Sequence, residues 1–145
     1  MAILITGGAG YIGSHTMVEF LNAGRELVVV DNFMNSKPEA LERVKKITGK
    51  DFKFFQVDLL DKEAIDKVVR ENNIDSCIHF AGLKAVGESC AKPMLYYHNN
   101  ITGTLNLCEA LHVLTQTKKI ITAVCLVLQD MTISLVKKYS STKPT

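Results

Sequence analysis

The feature that most limits what this chain can fold into is the run Gly7-Gly8-Ala9-Gly10-Tyr11-Ile12-Gly13, which stands between the apolar residues 2–6 and a segment of helical period. A glycine-rich turn that joins a buried strand to a helix belongs to a β-α unit. Such units assemble into a parallel sheet covered by helices. Glycine answers three physical demands there: a tight turn, a backbone that can approach a phosphate, and close packing of the new helix on the sheet. Gly7, Gly10 and Gly13 are spaced to meet them. The helix then aims its unpaired N–H groups and positive dipole end at the turn, where each exposed anion contact is worth about 0.3–1 kcal/mol. The plain alternative is a tight strand-to-helix turn that holds no ligand, since a glycine pattern alone is weakly specific.

Further along, short apolar runs keep alternating with helical segments. Strands are expected at 2–6, 26–30, 52–57 and 76–80, and helices at about 14–22, from near Pro38, at 62–71 and at 93–111. Met17, Val18, Phe20 and Leu21 can turn the first helix toward the sheet, and Gly24 ends it. Leu41, Val44 and Ile47 give the second helix a stripe, as Leu105, Cys108 and Leu111 do the fourth. The fold class is therefore α/β, a doubly wound parallel sheet of Rossmann type with helices on both faces. With 145 residues the chain amounts to about one domain.

Asp31 follows Gly7 by 24 residues, at the end of the second expected strand. An acid there accepts hydrogen bonds from the ribose hydroxyls of a dinucleotide and repels a 2′-phosphate. No arginine follows in Asn32-Phe33-Met34-Asn35-Ser36 to offset that repulsion, so NAD is expected over NADP. The alternative is that Asp31 only starts a turn. Asp58, after the third strand, stands where an adenine amine would arrive, or else caps the helix before Lys62. The fourth strand ends in His79-Phe80-Ala81-Gly82-Leu83-Lys84, and ligands of open α/β sheets bind at the carboxyl ends of strands. His79, among apolar neighbours and with no orienting acid, is expected to be a packed histidine, with a general base as the alternative. Lys84 is either a ligand contact or a solvated loop lysine. Asn99 and Asn100 on the fourth helix can reach a cofactor from one side, or lie exposed.

Charge and cysteine usage bound the partners. With 17 basic and 15 acidic side chains, the chain carries no field that would recruit nucleic acid or an anionic membrane, which favours a small-molecule partner. Cys77, Cys90, Cys108 and Cys125 have no C-x-x-C spacing, which points to a reducing, cytoplasmic compartment and no metal site. Neither 2–5 nor 120–128 has the length or flanks of a leader or a membrane span. After about His112 the text changes. Residues 1–112 carry 12 basic and 14 acidic side chains, whereas 113–145 carry 5 and 1. A fifth strand is expected within 119–128, so that 1–128 form a nucleotide-binding domain and 129–145 a divergent tail.

Thr6 to His15, Asp31-Asn32-Phe33, the stretch His79 to Ser89, and Asn99 with Thr102-Gly103-Thr104 together resemble the UDP-glucose 4-epimerase family of the extended short-chain dehydrogenase/reductases. The likeness covers about residues 1–112, with a faint echo at 118–121. The stretch from His79 is its most specific part, because sugar-nucleotide dehydratases and decarboxylases differ there. The resemblance implies a non-dissociating NAD and the interconversion of UDP-galactose and UDP-glucose, the hydride leaving C4 and returning to the other face of a rotated 4-keto intermediate. It implies that Gly7, Gly10, Tyr11, Ile12, Gly13, Asp31, Asn32, Phe33, Met34, Asn35, Ser36, Asp58, Leu59, Phe80, Ala81, Lys84 and Asn99 line the cofactor. A homodimer is among the partners open to the complete family enzyme.

The family's chemistry also needs a Ser or Thr after strand five and a Tyr-x-x-x-Lys helix, where cationic neighbours lower the tyrosine pKa. Here the serine-rich strand end is replaced by Thr122-Ala123-Val124-Cys125-Leu126-Val127-Leu128. Tyr139 and Lys143 match the spelling, but with only Pro144 and Thr145 after Lys143 no helix is expected to hold the two side chains together. No catalytic residue is assigned. Two readings stay open: the front of an epimerase, inactive as a 145-residue chain, or a non-catalytic nucleotide-binding fragment or isoform.

Overall fold

The computed structural model describes residues 1–115 and 119–122, with side chains as far as His112. The tail at 129–145, the run after Thr122, and the Tyr139–Lys143 pair lie outside the described residues.

The strand Ala2–Thr6 (β1) is buried at every position, as is Leu27–Asp31 (β2). Continuous burial of this kind requires helices on both faces of a parallel sheet. The remaining strands are Lys53–Gln56 (β3), Ile74–His79 (β4) and Lys119–Thr122 (β5). All neighbours pair in parallel, in the order β3-β2-β1-β4-β5. This is the doubly wound sheet expected. Side chains alternate between its faces. Ile3, Ile5, Leu27 and Val29 point to the side covered by helices Tyr11–Asn22 (α1) and Glu39–Thr48 (α2), where Met17, Leu21, Leu41 and Val44 meet them. Leu4, Val28 and Val30 point the other way, against Ile65, Val68 and Val69 of Lys62–Glu71 (α3) and Leu107 and Leu111 of Gly103–Thr115 (α6).

Several boundaries differ from expectation for local reasons. Helix α1 begins at Tyr11, three residues early, because the turn closes as soon as Gly10 N bonds Gly7 O at 3.1 Å. Strand β4 starts at Ile74, two residues early, since Ala2 N bonds Asn73 O at 2.8 Å and draws the segment alongside β1. Asp31 is the last residue of β2 and not its follower, paired with Gln56 of β3.

The largest correction concerns the segment expected as one helix over 93–111. It comprises Pro93–Tyr97 (α5), a π-helical turn His98–Thr102 and α6, and a further helix, Val86–Ala91 (α4), precedes it. Lys92, at φ −130° and ψ 57°, breaks the path between α4 and α5 just before Pro93. The stripe of α6 shifts accordingly. Leu107, Ala110 and Leu111 face the sheet, whereas Leu105, two residues or about 200° around the helix from Leu107, is 56% exposed. Ile47 is likewise exposed in the last turn of α2, so that stripe is used only through Leu41 and Val44. Cys77 packs in the core, its thiol pKa pushed up by burial, while Cys90 is exposed on α4. Among the described residues, no helix is long and apolar enough to cross a membrane.

The two leucines separate packing from pattern. Leu107→Ala is expected to cost about 2–5 kcal/mol by opening a cavity under the sheet, and Leu105→Ala to stay within about 0.5 kcal/mol of the parent. Urea midpoints of the two variants check the difference.

Candidate functional site

Strand order reverses between β1 and β4, and beyond their carboxyl ends lies a cleft of about 330 Å³. Crevices at such a reversal are where open α/β sheets hold ligands. The cleft is lined by Gly7, Gly10, Tyr11, Ile12 and Gly13 from the glycine turn, and by Val30, Asp31, Asn32, Met34, Asn35 and Ser36 from the end of β2. Val57, Asp58 and Leu59 follow β3. His79, Phe80, Ala81, Gly82, Leu83 and Lys84 follow β4, with Asn99 from the π turn.

The glycines meet different steric surroundings. Gly7 has φ +71°, and a Cβ there would lie 2.6 Å from Ala81 N, so the turn packs directly on the loop after β4. A Cβ on Gly13 would overlap Gly7 O, which fixes α1 against the turn. At Gly10 a Cβ would meet only Gly7 O, at 3.2 Å, and faces otherwise open space. No side chain caps α1 and no acid occupies its first turn. An N-terminus of that kind, bare and approachable, fits phosphate oxygens. Gly8, which the spacing did not single out, is needed for packing, because a Cβ there would strike Val29 and come within 3.0 Å of Met17 Sδ.

Asp31 is 7% exposed and fully engaged. Its Oδ2 accepts from Ala9 N at 2.9 Å, and its Oδ1 from Phe33 N at 2.9 Å and Ser36 Oγ at 2.7 Å. The acid thus starts the turn after β2 and also lines the cleft. Asp58 Oδ2 accepts from Asn32 Nδ2 at 3.0 Å and Oδ1 from Leu60 N at 2.9 Å. Capping of α3 falls to Asp61, which accepts from Ala64 N at 3.0 Å.

Two expected positions are placed elsewhere. Phe33, at φ 58°, does not line the cleft and packs on Phe54, with ring centroids 5.2 Å apart. Asn100 does not reach the cleft either: it is 3% exposed and spends its amide on the backbone of Leu83. Asn99 does line the cleft and donates to Asn100 Oδ1 at 2.9 Å. Lys84 is exposed at the rim. Val30, Val57, His79, Gly82 and Leu83 also line the cleft without having been expected as cofactor contacts, although Val30 and Val57 directly precede Asp31 and Asp58, and strand ends were the signal available.

His79 is the packed histidine expected. It is 1% exposed, 2.6 Å from Thr6 Oγ1 through Nδ1 and 2.9 Å from Thr104 Oγ1 through Nε2. Burial, and secondarily the charge of Lys84, lowers its pKa to about 4.

Sheet order, glycine turn and cleft define a Rossmann-type α/β domain with a crevice at the strand reversal. The chain belongs to the family described as GDP-mannose 4,6 dehydratase, whose profile matches residues 4–125. Over 111 residues it is 68% identical to the UDP-glucose 4-epimerase of Bacillus subtilis, a match covering 77% of this chain and 33% of that protein. With the UDP-glucose 4-epimerase of Haemophilus influenzae the identity is 63% over 109 residues, covering 75% and 32%. Among solved structures, the UDP-glucose 4-epimerase from Bifidobacterium longum in complex with NAD+ and UDP superposes with a TM-score of 0.81 at 52% identity, over 84% of this chain and 36% of that one. The enzyme from Stenotrophomonas maltophila, with bound NAD and formylated UDP-arabinopyranose, gives 0.82 at 32% identity, over 97% and 48%. The epimerase likeness seen in the sequence motifs is thus borne out, and the chain spans about a third of the length of the curated relatives it matches.

The buried histidine sets a pH dependence. Its folded pKa of about 4 lies below the ordinary 6.5, so the unfolded chain binds the proton first as pH falls. The stability this group contributes is complete above about pH 6.5, declines toward pH 4 and levels off below it. The loss amounts to about 3 kcal/mol. Urea denaturation across that range is expected to show the slope, and His79→Asn to flatten it.

Proposed function

We propose that residues 1–128 form the NAD-binding part of a UDP-glucose 4-epimerase, which interconverts UDP-galactose and UDP-glucose through a 4-keto intermediate in the cytoplasm, and that 129–145 are a divergent tail. The observation that carries this reading is convergence. The glycine turn, Asp31, Asp58 and the loop after β4 meet in one cleft at the strand reversal, in a chain 68% identical to such an enzyme over the matched residues.

The residues divide the cofactor among them. Tyr11 and Ile12 offer first-turn N–H groups to the pyrophosphate, with Gly7, Gly10 and Gly13 clearing its approach. The Asp31 carboxylate keeps lone-pair capacity beyond its three protein donors for the ribose hydroxyls, and its charge disfavours a 2′-phosphate. Asn32, Met34, Asn35 and Ser36 wall the adenosine side, where Asp58 and Leu59 take the adenine. Phe80, Ala81, Lys84 and Asn99 line the remaining length. Phe33 supports this wall from beneath through Phe54. When bound, NAD supplies an acceptor and donor of hydride for the sugar's C4.

For the 145-residue polypeptide by itself, binding without turnover is the favoured reading. Thr122 to Leu128 stand where the family places a serine-rich strand end, and no helix-borne Tyr-x-x-x-Lys pair is assigned.

Calorimetric titration is expected to give tighter binding of NAD than of NADP; equal affinity, or tighter NADP, rejects the assignment of Asp31. NAD at about 100 times its Kd should add about 2.7 kcal/mol to the folded state, raising the melting temperature where free nicotinamide does not. Incubated with UDP-galactose and NAD, the 145-residue chain should form no UDP-glucose above a protein-free blank.

A further inference from the structure

One short stretch, the π turn and the first residues of α6, sends polar side chains to three different walls of the cleft. Asn100 Oδ1 accepts from Leu83 N at 2.8 Å and its Nδ2 donates to Leu83 O at 3.0 Å, gripping both backbone groups of the loop after β4. Asn106 Nδ2 donates to Leu59 O at 2.9 Å in the loop after β3. Thr104 contacts His79 at the end of β4, and His79 contacts Thr6 at the end of β1. Single π turns are rare and interpose an extra residue within a helical path, frequently at functional sites. Here successive residues take opposite duties: Asn99 lines the cleft, and Asn100 is buried beneath it.

The contact through His79 has a fixed direction. Thr104 Oγ1 donates its only proton to Asn100 O at 2.6 Å. It therefore receives the Nε2–H of His79, which leaves Nδ1 as acceptor for the hydroxyl proton of Thr6. Each of the three protons has one acceptor, and the chain runs from Thr6 through His79 and Thr104 to the Asn100 carbonyl.

We infer that Thr104 is a positioning residue: by holding His79 in the Nε2–H tautomer, it locks the ends of β1 and β4 to the π turn that grips Leu83, and so fixes loop 80–84 in its cofactor-binding geometry. The inference rests on the NAD assignment above, although Thr104 does not itself line the cleft.

Imidazole nitrogen NMR of the 145-residue chain without NAD, amide exchange at Leu83 and calorimetric NAD titration test it on the parent, Thr104→Val and Thr104→Ser. The parent ring is expected in the Nε2–H form. Thr104→Val keeps the side-chain shape but removes the acceptor, so the ring should move toward Nδ1–H with Thr6 accepting. Leu83 exchange should quicken and NAD affinity fall about tenfold, the scale of one lost positioning hydrogen bond. Thr104→Ser should restore all three readings. A parent ring in the Nδ1–H form overturns the lock, whether or not the valine variant folds. So does a folded valine variant whose ring is unchanged and whose affinity stays within about twofold, or a serine variant weakened as much as valine. If the parent fails to bind NAD, the proposed function falls, while the ring and exchange readings still decide whether the lock exists.

Discussion

The rest of the site depends on a backbone-to-backbone contact across the centre of the sheet, where the turn after β1 lies directly on the loop after β4. Gly7 adopts a left-handed φ, its N–H bonds Val30 O at 2.8 Å, and the space a Cβ would need is occupied by Phe80 and Ala81. Phe80 N in turn bonds Thr6 O at 2.9 Å. Since β1 is the central strand, those two bonds set the ends of β1, β2 and β4 relative to one another. Gly13 then seats α1 on Gly7 O, which leaves the helix N-terminus open toward the cleft. A side chain at either glycine would separate elements whose closeness makes the crevice.

Around that contact, polar groups at the strand ends are satisfied within the protein, which makes the cleft walls rigid before any ligand arrives. Asp31 joins the glycine turn to the loop after β2, and Asp58 with Asn32 joins that loop to the one after β3. His79, Thr104 and Asn100 do the same for the floor and the loop after β4. Among the described residues, no buried side-chain polar atom lacks a hydrogen-bond partner. Preorganisation of this sort lowers the ordering cost of binding, because the groups that would meet a dinucleotide are already held. It also makes these residues costly to change, since a lost partner leaves a buried donor or acceptor exposed to a low-dielectric interior.

Much of the architecture was legible because its signals are local. Strands buried on both faces appear as unbroken apolar runs, the glycine turn has a steric reason at each position, and Asp31 and Asp58 occur at strand ends where ligands gather. The loop after β4 carried motif-level resemblance, and the expected site residues other than Phe33 and Asn100 line the cleft. The misses share a cause. Phe33 and Asn100 look like neighbours of ligand-facing residues in sequence, but one packs on Phe54 of β3 and the other turns away from the cleft to the Leu83 backbone. Leu105 matched a helical stripe whose phase was set by Gly103 packing against Leu59 and by the π turn before it, neither of which has a period to read.

By itself, then, the sequence determined the parallel α/β class, the glycine turn, the acid at the end of β2 and the epimerase likeness, because each depends on residues close together in the chain or on a short motif. Only the tertiary structure decided which way each side chain points at the strand ends, that Asp61 and not Asp58 caps α3, that one expected helix is three segments, and that His79 bridges Thr6 and Thr104. Those outcomes are settled by contacts between elements far apart in sequence. His79 and Thr6 are 73 residues apart and Asn106 and Leu59 47, so their pairing follows from the order of strands in the sheet and not from any local preference of the chain.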